Sequence, residues 1–248
     1  MILNGDCLEL MKTLPDKSVD CFICDLPYGC FTPKDSNINW DIKLNFEEFW
    51  VQIKRLRKND HTPCIMFCNA MFGAEMIMSN QKEFRYDLIW EKSCGVGFLN
   101  SNKQPLRFHE LIYIFSKKGA FYNKIDIEVE GAKGYETKLE IINGNCYGKK
   151  IKSPCIRLEG FRCAKSIITS KSIKHKGQHP TEKPIDLYKF LIERYSNEGD
   201  TILDPTFGSG NSGLASRELK RKYIGIEKDE TFFKKFENIW NVVIENEN

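Results

Sequence analysis

The sequence predicts an α/β fold, a mostly parallel sheet with helices on both faces, carrying one small insertion. Three observations predict it. Val19-Asp-Cys-Phe-Ile-Cys24 reads as a strand with both faces covered, because its apolar character hardly alternates. Thr201-Ile-Leu-Asp204 is a second short apolar run, and Pro205-Thr-Phe-Gly-Ser-Gly-Asn-Ser-Gly213 after it is a glycine-dense turn opening a helical pattern. The length of 248 residues, with 41% hydrophobic and 29% charged residues, suits one large α/β domain with its own core and a modest insertion.

In chain order, residues 1–3 form a short strand leading into Asn4-Gly-Asp6. Leu8, Met11 and Leu14 recur at helical spacing, and Pro15 with the polar residues 16–18 resets the chain. The strand over residues 19–24 ends at Asp25-Leu-Pro-Tyr-Gly29. Residues 30–44 are polar and irregular, long enough for a loop over a site. Phe46, Phe49, Ile53 and Leu56 give residues 45–57 one apolar side and predict a helix. Residues 63–68 predict a strand, 70–79 a helix, and 86–90 and 111–115 two more strands. Residues 184–195 form a helix with Pro184 in its first turn, where its missing N–H costs nothing. The last helix opens at Asp229, and its stripe Phe232, Phe233, Phe236 and Ile239 belongs to the core.

Between these blocks the chain changes character. Over residues 119–176 periodicity weakens, Gly, Asn and Lys become frequent, and only short strand-like pieces such as Ile167-Ile168 appear. The domain reading is therefore a catalytic domain from residues 1–118 and 177–248, with an insertion over 119–176. The overall charge is only +3, yet residues 145–176 hold nine Lys or Arg against the single Glu159, a net of +8. Such a stripe fits a phosphate-backbone partner.

Two strand ends carry the candidate chemistry. Gly208, Gly210 and Gly213 permit backbone conformations and close approaches that a side chain blocks, and the helix after them offers free amide donors. About 20 residues on, Tyr223-Ile-Gly-Ile226 ends in Glu227, where a carboxylate can bind a ribose diol. The glycine spacing indicates a nucleoside without saying which one. Asp25, Pro27 and Tyr28 stand at the other strand end, where open α/β sheets place ligands. Ten cysteines without a secretory signal point to free thiols and a reducing, cytoplasmic setting. Cys21-x-x-Cys24 lies inside an apolar run with no second pair, so buried thiols rather than a metal site are expected. No apolar run reaches membrane-spanning length.

Taken together, these pieces resemble the β group of S-adenosylmethionine-dependent DNA amino-methyltransferases, in which the catalytic motif precedes the cofactor motif. Asp25-Leu-Pro-Tyr28 resembles the family's Asp-Pro-Pro-Tyr, and Asp204-Pro-Thr-Phe-Gly-Ser-Gly210 its cofactor loop. Glu227 resembles its ribose-binding acid. His179-Pro-Thr-Glu-Lys-Pro184 is similar to the segment closing over the methionine end, and Asn4-Gly-Asp6 to the turn holding the cofactor adenine. Leu88-Ile-Trp-Glu-Lys92 and His109-Glu110 match positions common in phage-type members. The resemblance covers most of the chain except about residues 120–174, where such enzymes carry a variable target-recognition region.

The resemblance implies a Rossmann-like class I methyltransferase fold with a seven-stranded sheet, S-adenosylmethionine as cofactor and no metal. It implies DNA as partner, no membrane, and a homodimer. Catalysis falls to Asp25, Leu26, Pro27 and Tyr28. Cofactor contacts fall to Asp6, Cys7, Asp25, Thr181, Lys183, Asp204, Thr206, Phe207, Gly208, Ser209, Gly210, Asn211, Ser212 and Glu227. DNA contacts in the insertion fall to Lys149, Lys150, Lys152, Arg157, Arg162 and Lys165. Leu26 departs from the family proline but keeps the carbonyl that accepts a bond from the target amine. Asn211-Ser212 departs from the usual threonines while offering an amide and a hydroxyl for the cofactor carboxylate. The implied reaction is methylation of adenine N6 in DNA, since an acidic first residue accompanies adenine in this family and serine accompanies cytosine N4. An N4-cytosine enzyme, an RNA or protein-glutamine N-methyltransferase and a silent nucleic-acid-binding subunit are the alternatives; the motif order, the basic insertion and the intact Asp25, Tyr28 and glycine loop weigh against the last two.

Overall fold

A computed structural model describes residues 1–30, 41–137, 140–144, 148–152, 155–170 and 182–245. The strands are β1 (Ile2–Asn4), β2 (Cys21–Cys24), β3 (Cys64–Cys68), β4 (Phe84–Val96), β5 (Arg107–Phe115), β6 (Ile127–Glu128), β7 (Tyr135–Thr137), β8 (Glu140–Gly144), β9 (Gly148–Lys152), β10 (Cys155–Arg157), β11 (Phe161–Arg162), β12 (Ile167–Ser170), β13 (Thr201–Asp204) and β14 (Lys222–Glu227). The helices are α1 (Cys7–Thr13), α2 (Phe46–Leu56), α3 (Ala70–Ser79), α4 (Ile185–Tyr195), α5 (Asn211–Glu218) and α6 (Glu230–Glu245).

The main sheet has eight strands in the order β1-β14-β13-β2-β3-β5-β4-β12. Every neighbouring pair is parallel except β3 with β5 and β4 with β5. Strand β5 thus runs against the other seven, and its amino end lies at their carboxyl edge. Period-two alternation divides β2 and β3 between two core layers. Cys21, Ile23, Ile65 and Phe67 pack with Leu187, Leu191 and Phe236, and Phe22, Cys24, Cys64, Met66 and Cys68 pack with Met11, Phe49, Ile53 and Phe72. Cys21 and Cys24 therefore sit in different layers, as buried thiols. Among the described residues no group of His, Cys, Asp and Glu could hold a metal, and no helix is long and apolar enough to cross a membrane.

Helix starts follow local chemistry. Asp6 accepts from Leu8 N at 3.0 Å, Asn69 from Phe72 N at 2.9 Å and Asp229 from Thr231 N at 2.8 Å, each satisfying an orphan donor of the first turn. Arg55 on α2 donates to the carbonyls of Met11 and Leu14 at 2.6 and 2.8 Å, tying the end of α1 to α2.

The expected elements differ from the structure in two places. Strands β4 and β5 are much longer than the expected pieces 86–90 and 111–115. They continue as a hairpin beyond the neighbouring strands, irregular between Glu91 and Val96, and Phe98 and Leu99 are exposed beyond it. The polar residues there masked the strand, since a two-stranded arm has no covered faces. The second difference is β12. Ile167 and Ile168 belong to the main sheet as an eighth strand beside β4, with Ile168 buried, rather than to the insertion.

The chain divides into Met1–Asn123 with Ser166–Asn248, and Lys124–Lys165. In the smaller unit β6 pairs with β11, β7 with β10 and β8 with β9, all antiparallel. Moving three residues inward on each arm leads from Thr137↔Cys155 to Glu140↔Lys152, so β7–β10 and β8–β9 share one register. In the larger unit, Asn123 N donates to Arg194 O at 2.7 Å, and Ser166 O accepts from Ile89 N at 2.8 Å.

Phe236 is buried against Phe207, Trp240 and the glycine turn. Phe236→Ala is expected to lose about 3–5 kcal/mol, measured by urea unfolding followed by circular dichroism.

Candidate active site

Strands β1, β14, β13 and β2 are parallel neighbours, so their carboxyl ends form one edge, about 14 Å across at the usual strand spacing. On it stand Asp6, Glu227, Asp204 and Asp25. Asn4 Nδ2 and Gly5 N donate to Glu227 O at 2.8 and 3.0 Å. The second oxygen of Asp6 receives Lys228 Nζ at 3.1 Å. Glu227 Oε2 accepts from Gly208 N at 2.9 Å and Oε1 from Asp229 N at 2.7 Å, which holds the carboxylate against the glycine turn. Thr206 Oγ1 donates to Asp25 O at 3.0 Å, joining turns 181 residues apart.

Around Asp25 lies a network of alternating charge. Its Oδ1 accepts from Tyr28 Oη at 2.9 Å, and its Oδ2 is paired with Lys183 Nζ. Tyr28 Oη also lies 2.9 Å from Glu110 Oε1, Lys183 Nζ is 3.6 Å from the same oxygen, and Lys92 Nζ is 2.9 Å from Glu110 Oε2. Lys183 is only 3% exposed, and its ammonium also sits over the Phe67 ring. Burial raises the Asp25 carboxyl, against the pull of Lys183 and with Glu110 adding to the rise. Burial works the same way on Glu110, but Lys183 and Lys92 outweigh it and hold that carboxyl below its usual range. Burial opposes the charge of Lys183, yet Asp25 and Glu110 hold its ammonium above the ordinary value.

Leu26 is buried, in the layer with Phe72, whose ring lies 4.9 Å from that of Tyr28. Gly29 N and Cys30 N donate to the Asp41 carboxylate at 2.8 and 2.6 Å, fixing the exit of the turn with Gly29 at φ 65°. Asp41 had no periodic signal, being one acid in a polar stretch. Glu110 was visible only as part of a motif, without a role.

The glycine turn is shaped by what lies beneath it. A Cβ on Gly210 falls 2.0 Å from the Phe236 ring, and Gly210 has φ 80°. Some sequence expectations change here. The Phe207 side chain is core, its ring centroid 5.0 Å from that of Phe236 at a tilt of 54° and the residue only 4% exposed. Ser212 is fully buried, with its hydroxyl 2.5 Å from Asp204 Oδ2 and 2.8 Å from Tyr223 Oη, so that hydroxyl is held inward by these two groups. Asn211 Nδ2 donates to Glu182 Oε1 and Lys183 O, both at 2.8 Å, so the amide positions the Lys183 segment instead. Cys7 is buried and its thiol is pushed up to about 12 by burial, leaving it an inert neighbour of Asp6. Gly208 and Ser209 are half-buried on the turn. Helix α5 starts at Gly210 with no side-chain cap.

Thr181 lies outside the described residues, as do the side chains of Lys149, Lys150, Lys152 and Arg157. The Arg162 guanidinium donates to the carbonyls of Phe161 and Lys133 at 2.7 and 3.0 Å, two of its five N–H groups. Lys165 is exposed.

Asp204 is 1% exposed, and its carboxyl is pushed up to about 7 by burial, partly offset by the Ser212 and Thr206 bonds and increased by Asp25 and Glu227. Because this folded value lies above the unfolded one, the native state holds an extra proton between about pH 4 and 7. Its stability therefore falls as pH rises through that window, by up to on the order of 4 kcal/mol. Thermal melts from pH 4 to 8 are expected to show this slope in the wild type and a flatter one in Asp204→Asn.

The comparisons with known proteins bear on this edge. A family model described as DNA methylase, covering the N6 and N4 types, matches residues 19–238. Type II methyltransferase M2.MboI of Moraxella bovis is 26% identical over 251 residues, which is 93% of this chain and 84% of that protein. Type II methyltransferase M.HinfI of Haemophilus influenzae is 27% identical over 260 residues, 93% of this chain and 65% of that protein. Among solved structures, the M1.HpyAVI–SAM complex matches with a TM-score of 0.60 at 21% identity, covering 95% of this chain and 96% of that one. The cytosine-N4-specific PvuII DNA methyltransferase matches with a TM-score of 0.60 at 15% identity, covering 92% and 81%. These structural likenesses establish the fold as that of DNA methyltransferases, and the family match spans both joined strand-end turns. The chain belongs to the N6/N4 DNA methylase family.

Proposed function

We propose that this DNA methyltransferase moves a methyl group from S-adenosylmethionine to the N6 amine of an adenine turned out of the DNA helix. The observation that carries the reading is the Thr206–Asp25 bond, which sets the Asp25 turn directly beside the glycine turn. The chemistry of the edge fits a cationic nucleoside. Among the described residues, the cations paired to Asp6, Glu227, Asp204 and Asp25 are Lys228 and Lys183 alone, and the carboxyls of Glu227, Asp204 and Asp25 are all raised, with burial the leading cause. A sulfonium and an ammonium relieve such crowding. Each Glu227 oxygen, having accepted one N–H, keeps a lone pair for a ribose hydroxyl. Asp6 stands where the adenine end is held, and Lys183 with the free amides opening α5 at the methionine end.

S-adenosylmethionine, when bound, supplies an electrophilic methyl group. The chain's own task is to make a conjugated amine nucleophilic. Asp25 accepts one N–H of that amine and the Leu26 carbonyl the other, which draws the nitrogen toward tetrahedral geometry and frees its lone pair. The same acceptors stabilise the positive charge that develops on nitrogen. Pro27 fixes the turn, and Tyr28 offers a ring for the extruded base, worth about 1–3 kcal/mol of stacking. Extrusion is required because the amine cannot be reached inside a duplex. Lys149, Lys150, Lys152, Arg157, Arg162 and Lys165 grip phosphates in this reading. The acidic Asp25, rather than a serine, supports adenine as the base.

Incubation of DNA with the chain and labelled cofactor, followed by nucleoside analysis, is expected to yield N6-methyladenine; label on cytosine, or none on DNA, rejects the proposal. Asp25→Ala is expected to lower kcat by at least about 100-fold while calorimetry shows cofactor binding retained. Glu227→Ala is expected to weaken cofactor affinity by about tenfold or more through the lost diol bonds, read by the same calorimetry.

A further inference from the structure

Glu110 has no part in the reaction as described above, yet the fold carries it to Asp25. It sits near the amino end of the one strand that runs against the rest, and so reaches the same edge. Both groups that fill the oxygens of Asp25 are also near a single oxygen of Glu110, Oε1. Tyr28 Oη is 2.9 Å from it and Lys183 Nζ 3.6 Å, while Lys92 holds the other oxygen at 2.9 Å. A phenol carries one hydrogen, so Tyr28 can donate fully to only one of the two carboxylates at a time. Each Asp25 oxygen keeps a second lone pair for an N–H of the target amine, and a carboxylate that swings to present it loosens the bonds to the donors it now has. An ammonium as buried as Lys183 cannot be left without a partner at that moment.

We infer that Glu110 is a positioning residue that takes over the Tyr28 hydroxyl and the Lys183 ammonium when Asp25 turns to the target amine. The exchange rests on the methyl-transfer reading of Asp25 and extends it. Asp25 changes partners with no buried charge stranded, since the two carboxylates and the two lysines stay balanced throughout. Lys183 and Lys92 together keep Glu110 ionised, and therefore able to accept. The other titratable groups facing this cluster are Asp204 from β13, Cys68 from β3 and Tyr188 from α4.

The test compares wild type, Glu110→Gln and Glu110→Asp, full chains, on duplex DNA containing the methylated site found by sequencing the product of the wild-type reaction. Glu110→Gln keeps the shape and removes the charge. We expect its cofactor Kd to stay within about twofold and its kcat to fall at least about tenfold. The acid limb of its kcat/KM profile is expected to move to lower pH, because the Glu110 charge is one of the influences raising the Asp25 carboxyl. Glu110→Asp, which keeps the charge, is expected to recover much of kcat and the wild-type acid limb, and it carries the test if the Gln chain does not fold. A Gln variant with wild-type kcat, a lowered kcat with an unmoved acid limb, or an Asp variant no better than Gln overturns the inference. A wild-type chain that transfers no methyl to any DNA sinks the underlying reading as well, so the two failures are told apart.

Discussion

The parallel pairing of β2 with β13, Ile202 opposite Cys21 and Leu203 opposite Phe22, is the constraint from which the site follows. Two adjacent parallel strands must end at the same edge, so the turns that follow them are neighbours whatever the chain does between. Thr206 then closes the gap with one hydrogen bond to the Asp25 carbonyl. Asp25 and the glycine turn hang from these two strands, and Glu227 at the end of β14 joins them through Gly208 N. The sheet fixes their separation with backbone bonds that no surface change can alter, a form of preorganisation achieved before any ligand arrives.

Electrostatics give the edge its character. A protein rarely places four carboxylates on neighbouring strand ends, because burial and mutual repulsion both work against their charge. Here the burden is uneven. Glu110 is held ionised by two lysines, whereas Asp204 is pushed up to about 7 by burial. The cost in stability is tolerable because the core beneath is dense with aromatic rings. Phe207, Phe236, Trp240 and Tyr223 pack in succession under the glycine turn. A region burdened by charge is thus seated on a continuous run of aromatic contacts.

Much of this was legible in the sequence, and the reasons differ from residue to residue. Asp25, Asp204 and Glu227 could be found because each follows an apolar run, and in a parallel sheet the residue after a strand faces the ligand edge. Glu110 defeats that rule by preceding its run, Leu111 to Phe115, and only the reversed direction of β5 brings it to the edge. Asp41 could not be found at all, since it accepts from two backbone N–H groups, Gly29 and Cys30, in a turn more than ten residues away. Phe207 and Ser212 were legible as motif members but not in orientation. A turn this tight sends adjacent side chains to opposite sides, and which of them points inward depends on α6 beneath it. Strand β12 was hidden because the basic, aperiodic residues around it outweigh four residues of edge-strand pattern.

One further consequence comes from the stems of the smaller unit. Asn123 is tied to the end of α4 and Ser166 to β4, and both tethers lie within the larger unit. The cut points are therefore secured independently of what lies between them. Closing a longer loop costs only about 0.6 kcal/mol per doubling of its length. On loop closure alone, a change in the length of residues 124–165 therefore costs the larger unit little. Length there is a variable to which the fold holding both ends is nearly indifferent.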